Sequence, residues 1–164
     1  MKEHIIHPIP PYYDEDSRIL ILGSFPSVKS REQMFFYGHP RNRFWRVIAQ
    51  VFEDEIPDSI LDKKEFLTRH HIALWDVIGA CDIKGSSDAS RENAAANDLS
   101  RILDASDIRA IFVNGRTAEK YYIKFTEKET HRKAVCLPST SPANAAWNME
   151  KLVEVWGSEL CKYI

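Results

Sequence analysis

The sequence predicts an α/β protein, a three-layer α/β/α sandwich around a central four-stranded parallel sheet. Three observations carry this. Four short runs, RILILGS (18–24), IALWDV (72–77), IRAIFVNG (108–115) and KAVCLPST (133–140), are apolar through their middle over strand length. Segments with helical spacing of apolar residues lie between them. The runs do not alternate apolar with polar, as strands with one wet face do. Continuous runs belong to strands covered on both sides, the habit of parallel sheets wrapped by helices.

Taken in order, residues 1–17 hold three prolines and the acidic Asp14–Asp16 cluster, and read as a leading arm. RILILGS ends in Gly and is the first strand. NRFWRVIAQVF (42–52) has apolar residues at 44, 45, 47, 48, 51 and 52, a helical period with Asn42 near its start. DKKEFLTRHH (62–71) reads as a second helix and IALWDV as the second strand. GACDIKGSSDASRE (79–92) reads as a polar Gly/Ser loop, and NAAANDLSRILDAS (93–106) as a helix. IRAIFVNG is the third strand, and RTAEKYYIKF (116–125) the helix after it. KAVCLPST is the fourth strand, broken by Pro138. The segment from Ser141 opens with Ser-Pro and continues as an amphipathic helix with apolar steps at 149, 152, 153, 156 and 160. The length, 164 residues, suits a single domain.

The formal net charge is −2, which gives no overall attraction to a polyanion. The distribution is less even. Lys29, Arg31, Arg41, Arg43 and Arg46 stand against Glu32 alone, whereas acids collect at 14–16 and 53–55. That pattern suits either a small footprint on a polyanion or a solvated basic face. Cys81, Cys136 and Cys161 are far apart and form no CxxC pair, which argues against a disulfide framework and against a zinc or iron–sulfur site. No cofactor or metal is expected. No apolar run has the length of a membrane span, and the N-terminal residues lack the apolar core of a secretory signal. The expectation is a cytoplasmic protein, a monomer, that needs no membrane.

In open parallel sheets ligands sit beyond the carboxyl ends of the strands. The loops there are 23–42, 76–92, 114–117 and 138–147. The first runs on into the helix as GSFPSVKSREQMFFYGHPRNRFW, and crowds Phe35, Phe36, Tyr37, Phe44 and Trp45 among the basic residues. It reads as a loop that stacks flat groups and meets negative charge. GSFPS, from Gly23 to Ser27, offers backbone N–H groups for a phosphate, or is a plain turn; it lacks the ending of a P-loop. Asp76 closes a buried apolar strand, so its carboxylate needs a partner, a ligand or water. Asn114 takes the equivalent place on the third strand, where a left-handed turn residue is the plain alternative. In the turn from Ser139 to Asn144, Ser141 before Pro142 can cap a helix, and the hydroxyls can hold a phosphate. His39 is isolated in GHPRN. His70 and His71 lack metal-ligand spacing.

Three stretches together, ILGSFPS, FYGHPRNRFW and LPSTSPAN, resemble the uracil-DNA glycosylase superfamily, and most closely its hypoxanthine-DNA (DNA-deoxyinosine) glycosylase family. The resemblance covers residues 18–160 and implies the same four-stranded fold. It implies that Gly23, Ser24, Phe25, Pro26 and Ser27 floor a base pocket. Phe25 stands where most of the superfamily has the Asn or Asp that positions water, and that role would pass to Asn42. Tyr37 matches the aromatic that stacks on the extruded base. Asp76 occupies the strand end where other branches carry a base-reading Asn. Ser139, Ser141, Pro142, Ala143 and Asn144 match the turn that grips a phosphate and enters the duplex, with Ala143 or Asn144 as a small wedge.

The implied protein is a monofunctional glycosylase of base excision repair, acting on DNA that contains deaminated bases. Hypoxanthine is the first candidate base, with uracil or xanthine beside it. The target nucleotide must leave the stack, since its reacting atom is inaccessible there. Lys29, Arg31, His39, Arg41 and Arg43 would contact DNA, with Arg46, and Tyr37 and Phe25 would sandwich the base. Cleavage would pass through an oxocarbenium-like sugar attacked by a water held at Asn42, while backbone N–H groups stabilise the leaving base anion. Asp76, or the carbonyl of Asn114, would accept the ring N–H that deaminated bases carry. The alternatives are a mismatch-specific uracil or thymine glycosylase, a non-catalytic damage-binding module, and an unrelated small-molecule enzyme on a similar sheet.

Overall fold

The computed structural model describes residues 2–84 and 91–164. Its centre is a four-stranded parallel sheet of β2 (Ile19–Gly23), β3 (Ile72–Asp76), β6 (Ala110–Asn114) and β7 (Ala134–Leu137), in the spatial order β3-β2-β6-β7. Every residue of β2 and β3 is buried, and so is all of β6 before Asn114, as continuous apolar runs require when helices cover both faces. The α/β/α sandwich expected from the sequence is the fold. Its helices include α2 (Phe44–Val51), α3 (Ile60–Arg69), α5 (Arg116–Tyr121) and α7 (Met149–Leu160). Helix α2 buries Phe44, Trp45, Val47 and Ile48, and the Phe44 ring meets Trp156 of α7 edge-on at 5.8 Å.

Five expectations are corrected. First, the leading arm begins as a strand, β1 (Lys2–Ile6), before Tyr12 exchanges two backbone hydrogen bonds with Leu74 of β3. Second, residues 79–92 are not a loop throughout. β4 (Ile78–Lys84) and β5 (Arg91–Ala96) join β1 in a second, antiparallel sheet of order β1-β4-β5; the part of that loop at 85–90 lies outside the described residues. Third, Asn93–Ala96 are therefore strand, and the helix α4 starts only at Ser100 and runs to Ala105. Fourth, a short helix α1 (Val28–Gln33) interrupts the first loop, capped by the Ser27 hydroxyl accepting from Ser30 N. Fifth, Ser141 caps no helix: α7 begins at Met149, capped by Asn148. Ser141 Oγ accepts from Ala143 N inside an irregular turn instead.

After α5 the chain passes through a π-helical turn (Tyr122–Thr126) into α6 (Glu127–Thr130). Among the described residues no helix is long and apolar enough to cross a membrane, and no group of three His, Cys, Asp or Glu side chains is placed to hold a metal ion.

Candidate active site

The parallel register lays polar strand ends in a row. Gly23 pairs with Asp76 and Leu22 with Val113, so Asn114 stands level with Gly23 on its other side. A carboxylate and a carboxamide thus flank a residue with no side chain, each one strand spacing of about 4.8 Å away. The space over Gly23 is already taken: a Cβ there would overlap Asp76 Oδ1 and lie 3.2 Å from the Tyr37 hydroxyl. Above this row opens a cleft of about 1050 Å³. Replacing Gly23 by Ala should therefore displace Asp76 and Tyr37 and cut activity by roughly a hundredfold, as misplacement of about 1 Å at a reacting centre does. Steady-state rates on a reactive substrate check this.

Asp76 is 4% exposed. A buried carboxylate without a partner is costly, and here the partner is His7, from just beyond β1. His7 Nε2 lies 2.8 Å from Asp76 Oδ2. His7 Nδ1 accepts the Ile9 N–H at 3.2 Å, so the ring proton sits on Nε2 and His7 is the donor. Asp76 Oδ1, the oxygen over Gly23, has no hydrogen-bond partner among the described residues.

Tyr37 adopts a left-handed backbone (φ 54°), and its ring stacks on Phe44 with centroids 4.0 Å apart. Its hydroxyl is buried and, among the described residues, makes no hydrogen bond of good geometry. Burial, and then the negative Asp76, push its pKa far above the ordinary tyrosine value against a smaller opposing pull from Asn114. It stays protonated, an unused donor beside an unused acceptor.

A hydrogen-bond chain ties the opposite wall. Asn114 Oδ1 accepts from Thr140 N at 3.1 Å, and Asn114 Nδ2 donates to Thr140 Oγ1 at 3.0 Å. Thr140 Oγ1 donates in turn to Asn42 Oδ1 at 2.8 Å, which also accepts from Phe44 N at 2.9 Å. The Asn42 carbonyl is saturated, and its Nδ2 has no partner among the described residues.

The cleft gathers most of the residues singled out in the sequence: Gly23 to Ser27, Tyr37, His39, Asn42, Asp76, Asn114, Ser139 and Ser141 to Asn144. Lys29, Arg31, Arg41, Arg43 and Arg46 lie outside its wall. Lys29 is exposed and pairs with Glu32 at 3.5 Å. Arg41 and Arg46 are exposed. Arg31 lies half-buried over the Phe25 ring, with Nη1 buried and without a partner among the described residues.

Arg43 corrects the reading of the basic stretch. Its guanidinium spends four of its five N–H donors on the carbonyl oxygens of Thr140, Ser141, Asn144 and Trp147, so it clamps the 140–147 turn rather than standing free in solvent. Asn144 Nδ2 donates to Ser139 O, which leaves exposed Pro142 and Ala143 as the tip of that turn. The aromatic stretch also divides. Phe35, Phe36, Phe44 and Trp45 belong to the core, with Phe36 also reaching the cleft wall, while Tyr37 lines the cleft and sets its hydroxyl over Gly23.

Thr140, His7 and the segment at Arg116 carry no site signal of their own in the sequence. Thr140 is flanked by the two serines that were chosen, and only its burial marks it out. Arg116 and its neighbours follow the third strand's Gly115, within reach of the rule that placed sites at strand ends. His7 had no local signal, because a non-local strand pairing brings it in.

Comparison with known proteins gives a consistent result. The Uracil DNA glycosylase superfamily profile matches residues 10–158. A hypoxanthine DNA glycosylase of Methanosarcina acetivorans is 34% identical over 144 residues, covering 87% of this chain and 90% of the relative. One from Methanosarcina barkeri is 33% identical over 114 residues, covering 68% and 72%. The solution NMR structure of a uracil DNA glycosylase candidate from Methanosarcina acetivorans superposes with a TM-score of 0.78 at 32% identity, covering 94% of this chain and 96% of that one.

Proposed function

The chain belongs to the uracil DNA glycosylase superfamily, and from that premise we propose that it is a monofunctional DNA N-glycosylase that extrudes deoxyinosine from DNA and hydrolyses its N-glycosidic bond, in base excision repair. The names of the relatives point to hypoxanthine, and the observation that supports a deaminated base over adenine is the floor of the cleft, where the open Asp76 Oδ1 and the Tyr37 hydroxyl both lie over Gly23. Hypoxanthine presents a ring N–H next to a carbonyl oxygen. Asp76 Oδ1 accepts from the first and Tyr37 donates to the second. Adenine reverses both positions, setting acceptor against acceptor and donor against donor, and buried unpaired groups of this kind are what discriminates strongly. Tyr37 thereby acts through its hydroxyl, since Phe44 already covers one face of its ring.

Bond cleavage needs little from the attacking side. The sugar passes through an oxocarbenium-like state that weak nucleophiles capture. With its carbonyl saturated, Asn42 holds the water through Nδ2, one lone pair of the water on the amide and the other on the sugar carbon; the proton leaves to solvent after attack. The negative charge that grows on the departing base is met by the Tyr37 donor and by backbone N–H groups of the Gly23–Ser27 turn. Exposed Lys29 and Arg41 and the hydroxyls of Ser139 and Ser141 hold the backbone phosphates without reading sequence, and Ala143 at the tip of the turn fills the space the nucleotide leaves.

The test is a panel of duplexes carrying deoxyinosine, deoxyuridine, deoxyxanthosine or a thymine mismatch, each treated with alkali to reveal abasic sites. Strand cleavage at deoxyinosine is the expected result. Binding without abasic sites would favour a damage reader, release of only uracil or thymine would reject hypoxanthine as the base, and release of adenine would reject the reading of the floor.

A further inference from the structure

We infer that His7 is a positioning residue for base recognition: its Nε2–H holds the Asp76 carboxylate by Oδ2, with Oδ1 turned into the cleft as the acceptor. This rests on the role given above to Asp76. His7 lies outside residues 10–158, the span the superfamily profile matches. It reaches the site because β1 pairs with β4, from Lys2 with Lys84 to Ile6 with Ala80, and His7 N continues that pairing by donating to Gly79 O at 2.8 Å.

The arrangement sets the direction of the contact. The Ile9 N–H occupies Nδ1, so the imidazole can only offer its proton to Asp76. Phe25, Phe36 and Trp75 surround the ring at centroid distances of 5.6, 6.4 and 6.1 Å and hold its plane. The His7 side chain is 2% exposed and that of Asp76 6%. Among the described residues no lysine or arginine is paired with Asp76. A single N–H donor satisfies Oδ2 and leaves Oδ1 over Gly23 as the acceptor for the base. This matters for the reading of the base, because a carboxylate oxygen held in that place accepts the N–H of hypoxanthine and opposes the bare ring nitrogen of adenine. His7 therefore keeps the acceptor of the floor turned toward a deaminated base.

The experiment compares His7→Phe, which keeps an aromatic ring but offers no donor, with His7→Gln, which can place an N–H near the position of Nε2. Single-turnover release of hypoxanthine from a duplex should fall roughly ten- to a hundredfold in His7→Phe, the cost of losing a hydrogen bond to a charged group. Binding to a duplex with a stable abasic-site analogue should be unchanged, and His7→Gln should recover most of the rate. A folded His7→Phe that cleaves like the wild type, or a His7→Gln no better than His7→Phe, would overturn the inference. A second measurement needs no variant. In nitrogen-15 spectra of the wild-type histidines, His7 should be the Nε2–H tautomer, and its signals should move when a duplex carrying uncleavable 2′-fluoro-deoxyinosine is added; signals that stay fixed on saturation would overturn it. A wild type that releases no base from any duplex would instead overturn the glycosylase reading.

Discussion

Replacing Asp76 by alanine is expected to slow hypoxanthine release by about a hundredfold or more while leaving the duplex bound. The substitution removes the acceptor for the base N–H and leaves the His7 Nε2–H without its partner, 2.8 Å from where Oδ2 was. A hydrogen bond to a charged group contributes roughly 1.5–3 kcal/mol, and a buried group left unpaired costs about 1–3 kcal/mol more. At about 1.4 kcal/mol per tenfold, the single-turnover rate should fall by at least about a hundredfold. Duplex affinity should hardly move, because phosphate contacts supply most of it. Asparagine should rescue poorly. His7 can only donate to this position, so in Asp76→Asn the new carboxamide would turn its oxygen toward His7 and present its own N–H groups to the base N–H. Rate and affinity measured on one deoxyinosine duplex decide the matter; equal losses in both would reject base reading by Asp76.

The second large effect is expected on stability. Arg43→Ala removes the donors of four backbone carbonyls in the 140–147 turn. Large mutational effects come from broken buried networks of this kind, and about 2–4 kcal/mol is expected here. For a chain of this size that lowers Tm by roughly 5–15 °C. Lysine should not restore it, since a single ammonium cannot span carbonyls that a planar fork reaches. Exposed Arg41 makes the contrast. Arg41→Ala should leave Tm unchanged and weaken DNA binding, with the salt slope reduced by about one. Thermal melts of both variants, with binding at two salt concentrations, check the pair. An unchanged Tm for Arg43→Ala would return that residue to the phosphate-binding group.

These contrasts show where the sequence was legible. The four central strands and the helices between them were readable because double-sided burial demands unbroken apolar runs, and runs such as ILIL in β2 carry that demand locally. The second sheet was not. Strand β5, RENAAA, has composition that favours a helix, but its backbone pairs with β4, and pairing between distant segments leaves little trace in side-chain pattern. The same limit applied to the basic and aromatic stretch. Arg41 and Arg43 look alike in the chain, and so do Phe36 and Tyr37. Only the fold turns one arginine to solvent and the other into a ring of carbonyls, or buries Phe36 while carrying the Tyr37 hydroxyl to the floor.

What the sequence determined by itself was the sheet and the stretches that gather at one end of it around the cleft: Gly23 to Ser27, Asn42, Asp76, and the turn from Ser139 to Asn144. The tertiary structure alone decided the partners of those residues: His7 behind Asp76, Thr140 between Asn114 and Asn42, and Arg43 beneath the turn. The physical reason is that burial and secondary-structure period are written in neighbouring residues. The hydrogen bond that orients a buried polar group is made with whatever the folded chain brings to it, here across 69 positions from His7 to Asp76 and 98 from Asn42 to Thr140.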